Sequence, residues 1–136
     1  MAKILVIRLS AIGDVAMTVP VIYSAAKANP QHTFTVLTQA FLMPLFMNRP
    51  PNVEVIGINT KGAEKGLIGL LKFISALLKF DFDVILDLHN VIRTMIIRGM
   101  FRIKGKKVYV VDKARKERKR LTEQAAALKA VLYPEP

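Results

Sequence analysis

Short runs of apolar, mainly β-branched residues alternate along this chain with longer segments of helical periodicity. The runs cover residues 4–7, 33–38, 53–58, 82–87 and 107–111. Runs of this kind are typical of strands that are covered on both faces of a parallel sheet. The segments between them predict helices at residues 14–29, 41–47, 62–80 and 91–101, with a last helix at 121–132. This alternation predicts an α/β, Rossmann-like parallel sheet with helices on both faces.

Two of the predicted helices carry features that constrain their geometry. Pro20 lies inside the first helix, so we expect a kink or a later true start, because proline removes a helical hydrogen bond. The helix at 62–80 is amphipathic and should pack its apolar stripe on the sheet. Its lysine face leaves a weaker alternative, contact with an anionic membrane surface. The stripe consists of Leu67, Leu70, Leu71, Ile74, Leu77 and Leu78, and the lysines are Lys65, Lys72 and Lys79.

The charge balance of the chain favours anionic ligands. Its 136 residues fit one domain, and 21 Lys and Arg against 10 Asp and Glu give a formal net charge of +11. Such a surplus attracts nucleic acid, anionic lipid and phosphorylated sugars or nucleotides alike. The sequence has no cysteine, which excludes disulfides and thiolate chemistry, and its 2 histidines lie far apart. We therefore expect neither a metal nor an organic cofactor.

The loop after the first strand, residues 9–14, is a candidate site because parallel sheets bind ligands at the carboxyl ends of their strands. The loop has one glycine, Gly13, and lacks the glycine spacing of dinucleotide-binding loops and the lysine ending of a P-loop. It carries a carboxylate instead, Asp14, at the start of a helix. Two interpretations are open: Asp14 complements the helix dipole, or it is a general base that removes the proton of an attacking sugar hydroxyl.

Two further loops at the same edge carry polar and basic residues. Asp87 and His89 lie one strand period apart, and Arg93 follows in the first turn of the next helix. Asp87 either accepts hydrogen bonds from loop N–H groups or faces a ligand, and His89 either packs and satisfies a carbonyl or contacts a ligand. After the fifth strand, residues 113–120 hold six basic residues and one acid. This run is either a solvated face or a binding site for phosphates and carboxylates.

Two segments carry a resemblance to a known family. Residues 3–15, KILVIRLSAIGDV, with TVPVI at 18–22, resemble the opening of glycosyltransferase family 9, the lipopolysaccharide heptosyltransferases. Residues 82–94, FDVILDLHNVIRT, are similar to that family's element, in which FD and a short apolar strand are followed by D-L-(H/Q)-x-x-x-R-(S/T). The basic run also has a counterpart, so the resemblance covers essentially all 136 residues. Asn90 and Thr94 depart from the pattern, at positions where the family often has glycine and serine.

The resemblance implies the N-terminal, acceptor-binding half of a GT-B fold, in which two Rossmann-like domains face a cleft. Residues 1–136 would form this domain, and a C-terminal domain outside the chain would bind a nucleotide-sugar such as ADP-heptose. The implied reaction is an inverting, metal-independent transfer of heptose or a related sugar. Asp14 matches the proposed catalytic base. Ser10, Ala11 and Gly13 match the loop that lines the cleft, and the chain alone should then be inactive.

The same resemblance implies an anionic acceptor, the inner core of lipopolysaccharide. Arg93 and the basic run would face its acidic Kdo sugars and the phosphates of lipid A. The residues of the run with this implied role are Lys113, Arg115, Lys116, Arg118 and Arg120. His89 is a cleft-lining residue whose role the resemblance leaves open.

The N-terminal apolar run is too short for a signal peptide, so we expect a cytoplasmic location, with peripheral contact at the inner face of the inner membrane as a further expectation. The main alternative function is a basic nucleic-acid-binding α/β module that uses residues 113–120. It is disfavoured because 3 Tyr and 7 Phe, mostly in apolar runs, offer few stacking platforms. A phosphoryl-accepting signalling domain is also disfavoured, since Arg8 and Leu9 stand where it needs an acidic cluster.

Overall fold

Five parallel strands form one sheet in the computed structural model of this chain, which describes residues 2–59, 66–110, 128, 131 and 132. The strands are β1 (Lys3–Ile7), β2 (Thr33–Gln39), β3 (Val53–Ile58), β4 (Val84–Asp87) and β5 (Lys107–Val110). Their order in the sheet is β3-β2-β1-β4-β5, and every pairing is parallel. The predicted α/β class with a parallel sheet is confirmed.

Three helices cover the two faces of this sheet: α1 (Ile12–Ala28), α2 (Leu67–Leu78) and α3 (Ile92–Ile103). Because side chains alternate along a strand, Ile4 and Val6 of β1 face one layer, which α1 covers. Leu5 and Ile7 face the other layer, which α2 and α3 cover. The strands are therefore buried on both faces, which explains their continuous apolar sequences.

Helix α1 runs without interruption from Ile12 to Ala28, so of the two predicted alternatives, a kink or a later true start, the later start is wrong. The helix contains Pro20, whose side chain is exposed. Four of its residues at helical spacing are buried against the sheet: Val15, Thr18, Ile22 and Ala26. We attribute the continuity of the helix to this packing, which offsets the hydrogen bond that proline cannot make on the solvent side.

Helix α2 buries a narrower stripe than the sequence predicts. Leu70, Ile74 and Leu77 are buried, whereas Leu67 is 61% exposed and Leu71 is 41% exposed. The reason is geometric: Leu71 lies beside the row at spacings of three and four that faces the sheet, and Leu67, although it continues this row, is the first residue of the helix. Part of the predicted apolar stripe is thus solvent-exposed. Lys65 lies outside the described residues, and Lys72 and Lys79 are exposed.

The remaining predicted elements differ in detail. The predicted short helix at 41–47 is a 3-10 helix, Ala40–Leu45, followed by β3 at its predicted bounds. Of the predicted helix at 121–132, Leu128, Val131 and Leu132 are described. All three are helical and pack on the layer that contains α1. The basic run at 113–120 lies outside the described residues.

Gly57 of β3 is required by the close approach of the 3-10 helix. A Cβ atom at this position would lie 2.6 Å from the Met43 sulfur and 2.8 Å from the Ala40 Cα. We predict that Gly57→Ala lowers the free energy of unfolding by about 1–3 kcal/mol, because backbone as well as side chain must shift. Urea denaturation measures this loss.

The matched control is Gly99→Ala inside α3, where an added Cβ meets nothing within 4 Å. This variant should gain up to about 1 kcal/mol from helix propensity. Equal effects of the two substitutions would contradict the packing argument.

Candidate functional site

The sheet has a topological switch point between β1 and β4. From β1 the chain builds outward to β2 and β3, and it then crosses back to place β4 on the other side of β1. The helix after β1 covers one face, whereas α3, which follows β4, covers the other. The loops that leave the carboxyl ends of β1 and β4 therefore diverge. Such a point leaves a crevice where α/β proteins bind ligands.

Arg8 ties the two loops of this crevice together. It follows β1 directly, and its side chain is 9% exposed. Nη1 donates a hydrogen bond of 2.8 Å to the carbonyl oxygen of Leu88, just beyond β4. Nη2 donates one of 2.6 Å to Oδ2 of Asp14 in α1. One guanidinium thus connects the end of β1 with the end of β4 and fixes the carboxylate of Asp14.

Asp14 lies in the first turn of α1, where its charge complements the helix dipole as the first interpretation expects. Its side chain is 16% exposed, so the carboxylate is held at the crevice with part of its surface accessible. The helix begins after Ala11, which supplies no side-chain cap. A Cβ at Gly13 would meet nothing within 4 Å, so the surface beside Asp14 is open. Ser10 is half-buried, and the peptide bond from Ser10 to Ala11 is cis.

Asp87, at the end of β4, is fully buried and organises the second loop. Its Oδ1 accepts hydrogen bonds from the backbone N–H groups of His89 and Asn90, at 2.9 and 2.8 Å. Its Oδ2 accepts a hydrogen bond of 2.8 Å from Nη1 of Arg98, which also donates to Oδ1 of Asn90. The interpretation of Asp87 as an acceptor for loop N–H groups is confirmed. Asp87 therefore shapes the crevice without facing it.

His89 provides a second link between the loops. Its Nδ1 accepts a hydrogen bond of 3.3 Å from the backbone N–H of Leu9, because the chain after β1 directs this N–H group toward β4. The expectation that the ring satisfies a carbonyl stays a prediction. A neutral imidazole that accepts at Nδ1 carries its proton at Nε2.

Arg93 lies on the outer side of the second loop. It is half-buried and lines a groove of about 740 Å³ between the first turns of α2 and α3. Arg93 is therefore placed beside the switch-point crevice, in a neighbouring groove.

Among the predicted site residues, Ser10, Ala11, Gly13, Asp14 and His89 lie on the two loops that border the crevice. Lys113, Arg115, Lys116, Arg118 and Arg120 lie outside the described residues.

Two side chains that hold the loops of the site, Arg8 and Arg98, are not predicted from the sequence. Each has a signal that could have indicated it. Arg8 directly follows an apolar strand, where a buried charge needs a partner, and Asp14 is the nearest acid in the chain. Arg98 lies four residues after the buried Thr94 and beside the buried Ile97, hence near the sheet-facing side of α3. A cation there indicates pairing with a buried acid.

In the part of the chain that the structure describes, no three His, Asp or Glu side chains come together as a metal site would require. No described helix combines the length and the apolar character needed to cross a membrane.

Solved structures that share this fold include glycosyltransferases and a putative UDP-N-acetylglucosamine 2-epimerase from Listeria monocytogenes. The glycosyl transferase family 9 protein of Veillonella parvula has a TM-score of 0.74 and 22% identity over 96% of this chain and 41% of that chain. For the E. coli heptosyltransferase WaaC with ADP, the TM-score is 0.69 and the identity 14%, over 98% of this chain and 48% of that one. The E. coli ADP-heptose lps heptosyltransferase II gives 0.63 and 23%, over 93% and 40%.

These similarities establish the fold: the chain has a Rossmann-like α/β fold that matches GT-B glycosyltransferase structures. The resemblance to glycosyltransferase family 9 in the sequence is thus confirmed in the fold. The chain spans less than half the length of each of these three proteins. No family model matches the chain, and no curated protein matches its sequence.

The Asp87–Arg98 pair predicts a large cost for removing the cation alone. In Arg98→Met the Asp87 carboxylate, whose side chain is fully buried, keeps its two N–H donors but loses its counter-ion. We predict a loss of about 3 kcal/mol in the free energy of unfolding, because an uncompensated buried charge remains. Guanidinium denaturation measures this loss.

Arg102→Met on the exposed side of α3 is the matched control and should change stability by less than about 0.5 kcal/mol. The double variant Asp87→Asn with Arg98→Met should recover part of the loss, since no buried charge is then left. If Arg98→Met were as stable as the wild type, the Asp87–Arg98 ion pair would not hold the loop after β4.

Proposed function

We propose that this chain is the acceptor-binding domain of an inverting glycosyltransferase of the lipopolysaccharide core, with Asp14 as its general base. The observation that carries the proposal is the pair Arg8–Asp14, which presents a fixed carboxylate at the switch-point crevice. The surrounding fold is that of the heptosyltransferase structures described above. In a sheet of this kind a ligand lies next to that carboxylate.

The reaction requires a base because a sugar hydroxyl is a weak nucleophile. In the proposed step the Asp14 carboxylate accepts the hydroxyl proton while the acceptor oxygen forms a bond to the anomeric carbon of the donor. The bond between that carbon and the diphosphate breaks, and the nucleoside diphosphate leaves with the bonding electron pair. Attack from the side opposite the leaving group inverts the anomeric configuration. A positioned base of this kind contributes about 10²- to 10⁴-fold to the rate.

Arg8 has two effects on this base. Its positive charge stabilises the ionised carboxylate, which is the form that accepts a proton. Its hydrogen bonds to Asp14 and to the Leu88 carbonyl fix the direction of the carboxylate relative to the sheet. Positioning of a catalytic group is worth several kcal/mol when the reacting atoms are held near attack distance. Arg8 is therefore a positioning residue in this proposal.

The substrates follow from the neighbours and from the charge. Two of the similar structures are named as heptosyltransferases, one of them with ADP, which favours a nucleotide-sugar donor such as ADP-heptose and the transfer of heptose or a related sugar. This donor would bind to a C-terminal domain outside the 136-residue chain. The net charge of +11 favours an anionic inner-core acceptor. His89, Arg93 and the basic residues between 113 and 120 would contact that acceptor.

Asp14→Asn tests the base assignment in the two-domain enzyme that this proposal requires. The amide keeps the size of the side chain but cannot accept the proton. We predict that kcat falls by about 10²- to 10⁴-fold with little change in the acceptor KM, because binding contacts remain. The control is Glu54→Gln, an equivalent change at an exposed position of β3. Turnover in Asp14→Asn within a few-fold of the wild type, with the fold intact, would remove the assignment.

Acceptor binding can be tested on this chain alone. Titration calorimetry with an inner-core oligosaccharide that carries Kdo and phosphate should show binding that weakens strongly between about 50 and 300 mM salt, because charge attraction is screened. A neutral oligosaccharide of equal length should not bind, and no transfer should occur. Tight binding to an oligonucleotide without binding to the oligosaccharide would instead support the nucleic-acid-binding alternative.

A further inference from the structure

Phe41 is the most exposed of the seven phenylalanines in this chain, and the proposed chemistry leaves it unused. It is 69% exposed. Four of the other phenylalanines are buried: Phe34, Phe46, Phe82 and Phe101. Phe41 stands in an apolar run of the sequence, residues 40–47, where burial would be the ordinary outcome. Its exposure therefore asks for a ligand.

Phe41 lies at the same edge of the sheet as Asp14. The 3-10 helix that contains Phe41 begins directly after β2, and β2 pairs with β1. The N–H of Arg8 donates a hydrogen bond of 3.0 Å to the Leu37 carbonyl, so the two strands end side by side. Adjacent strands are about 4.8 Å apart. The segment with Phe41 therefore starts next to the loop that leads to Asp14.

The packing of the 3-10 helix fixes Phe41 with its ring outward. Leu42 and Phe46 are buried in the layer that α1 covers, and the helix approaches Gly57 of β3 closely. Residues three apart share a side of a 3-10 helix, so Phe41 lies on the same exposed side as Pro44. A ring on a packed element of this kind needs little ordering when a ligand binds.

Ile12, the first residue of α1, adds a second exposed apolar side chain at this edge, and it is 61% exposed. Ile12 and Tyr23 are about three turns apart and share one flank of α1. Tyr23 donates a hydrogen bond of 2.7 Å to the Met47 carbonyl, just after the 3-10 helix, so this flank faces that helix. Asp14 lies on the opposite flank, because two residues of a helix are about 200° apart. Ile12 thus lies between the carboxylate and the element that carries Phe41.

We infer that Phe41 and Ile12 form an apolar platform on which a sugar ring of the acceptor stacks beside Asp14. The inference rests on the proposed function and concerns affinity for the acceptor, not proton transfer. The faces of a pyranose ring consist largely of C–H groups, which suit the negative face of an aromatic ring. Ligand sites combine apolar walls of this kind with a few polar groups that fix orientation. The platform would hold a neutral part of the acceptor, which the surplus of basic residues cannot do.

A sugar fits this platform better than a nucleic acid does. Proteins that bind single strands repeat aromatic rings along a basic groove, so that successive bases stack. Among the described residues two phenylalanines are largely exposed, Phe41 and Phe80. Phe80 follows α2 and precedes β4, hence at the opposite edge of the sheet. One ring beside one carboxylate suits a single sugar ring better than a series of bases.

A tryptophan at position 41 tests the inference directly, because the chain has no tryptophan of its own. Phe41→Trp in the 136-residue chain should bind the inner-core oligosaccharide that carries Kdo and phosphate at least as tightly as the wild type. Its indole emission should change as the oligosaccharide is added. The matched control is Phe80→Trp, at a phenylalanine that is 49% exposed on the far edge. Its emission should stay constant in the same titration.

Removal of the ring gives the second readout. Phe41→Ala should raise the Kd for the oligosaccharide roughly tenfold, and by the same factor at low and high salt, because the lost contact is uncharged. Phe41→Leu keeps apolar area without a ring and should recover only part of the loss. In the two-domain enzyme Phe41→Ala should raise the acceptor KM and leave kcat unchanged, whereas Asp14→Asn lowers kcat.

The outcomes separate this inference from the proposed function. Equal oligosaccharide binding by Phe41→Ala and the wild type, with both folded by circular dichroism, would overturn the inference and leave the assignment of Asp14 unaffected. Constant emission of a Phe41→Trp protein that binds the oligosaccharide would overturn it too. Absence of oligosaccharide binding in the wild type would contradict the proposed function itself. An emission change with an oligonucleotide and none with the oligosaccharide would assign Phe41 to the nucleic-acid-binding alternative.

Discussion

The arrangement of the crevice depends on one cation, Arg8, at the position where the backbone hydrogen bonds of the sheet end. The last of them run from the N–H of Arg8 to the Leu37 carbonyl and from the N–H of Leu88 to the Ile7 carbonyl. The strands β1 and β4 end side by side, and their continuing chains diverge because the following helices lie on opposite faces. Divergent loops lose the ladder of hydrogen bonds that holds strands together. Arg8 replaces it with two charge-assisted bonds, one to the Leu88 carbonyl and one to Asp14. The carboxylate is thus fixed by the same interaction that closes the end of the sheet.

The departures of this sequence from the family pattern have physical explanations in the second loop. Asn90 has a φ of 53°, in the left-handed region where glycine is favoured and asparagine is the best tolerated substitute. Asparagine also accepts a hydrogen bond from Arg98, which glycine cannot do. The hydroxyl of Thr94 accepts a hydrogen bond from the N–H of Val91 and donates one to its carbonyl, and a serine would supply the same group. Both substitutions keep the property that the loop requires.

The sequence was sufficient to predict the strands and helices, which depend on periodicity, and the residues that lie at the ends of helices. Strand positions followed from apolar runs, and the placement of Asp14 followed from its position at the start of α1. The sequence was not sufficient where a side chain finds a partner far along the chain. Arg98 and Asp87 are 11 residues apart, and Arg8 and Leu88 are 80 apart. Amino-acid composition and periodicity do not predict contacts between residues that are this far apart in the sequence. The continuity of α1 through Pro20 likewise depends on tertiary packing, which overrides the low helix propensity of proline.

The two interpretations of Asp14, as a partner of the helix dipole and as a base, are compatible because they concern different requirements. A base must be ionised before the reaction, and both the dipole of α1 and the guanidinium of Arg8 stabilise that form. These contacts also weaken the carboxylate as a proton acceptor, so its advantage must come from position more than from basicity. A carboxylate fixed by an ion pair at a sheet edge needs no reorganisation when a hydroxyl arrives. The rigid polar contacts therefore lie at the crevice, where direction matters.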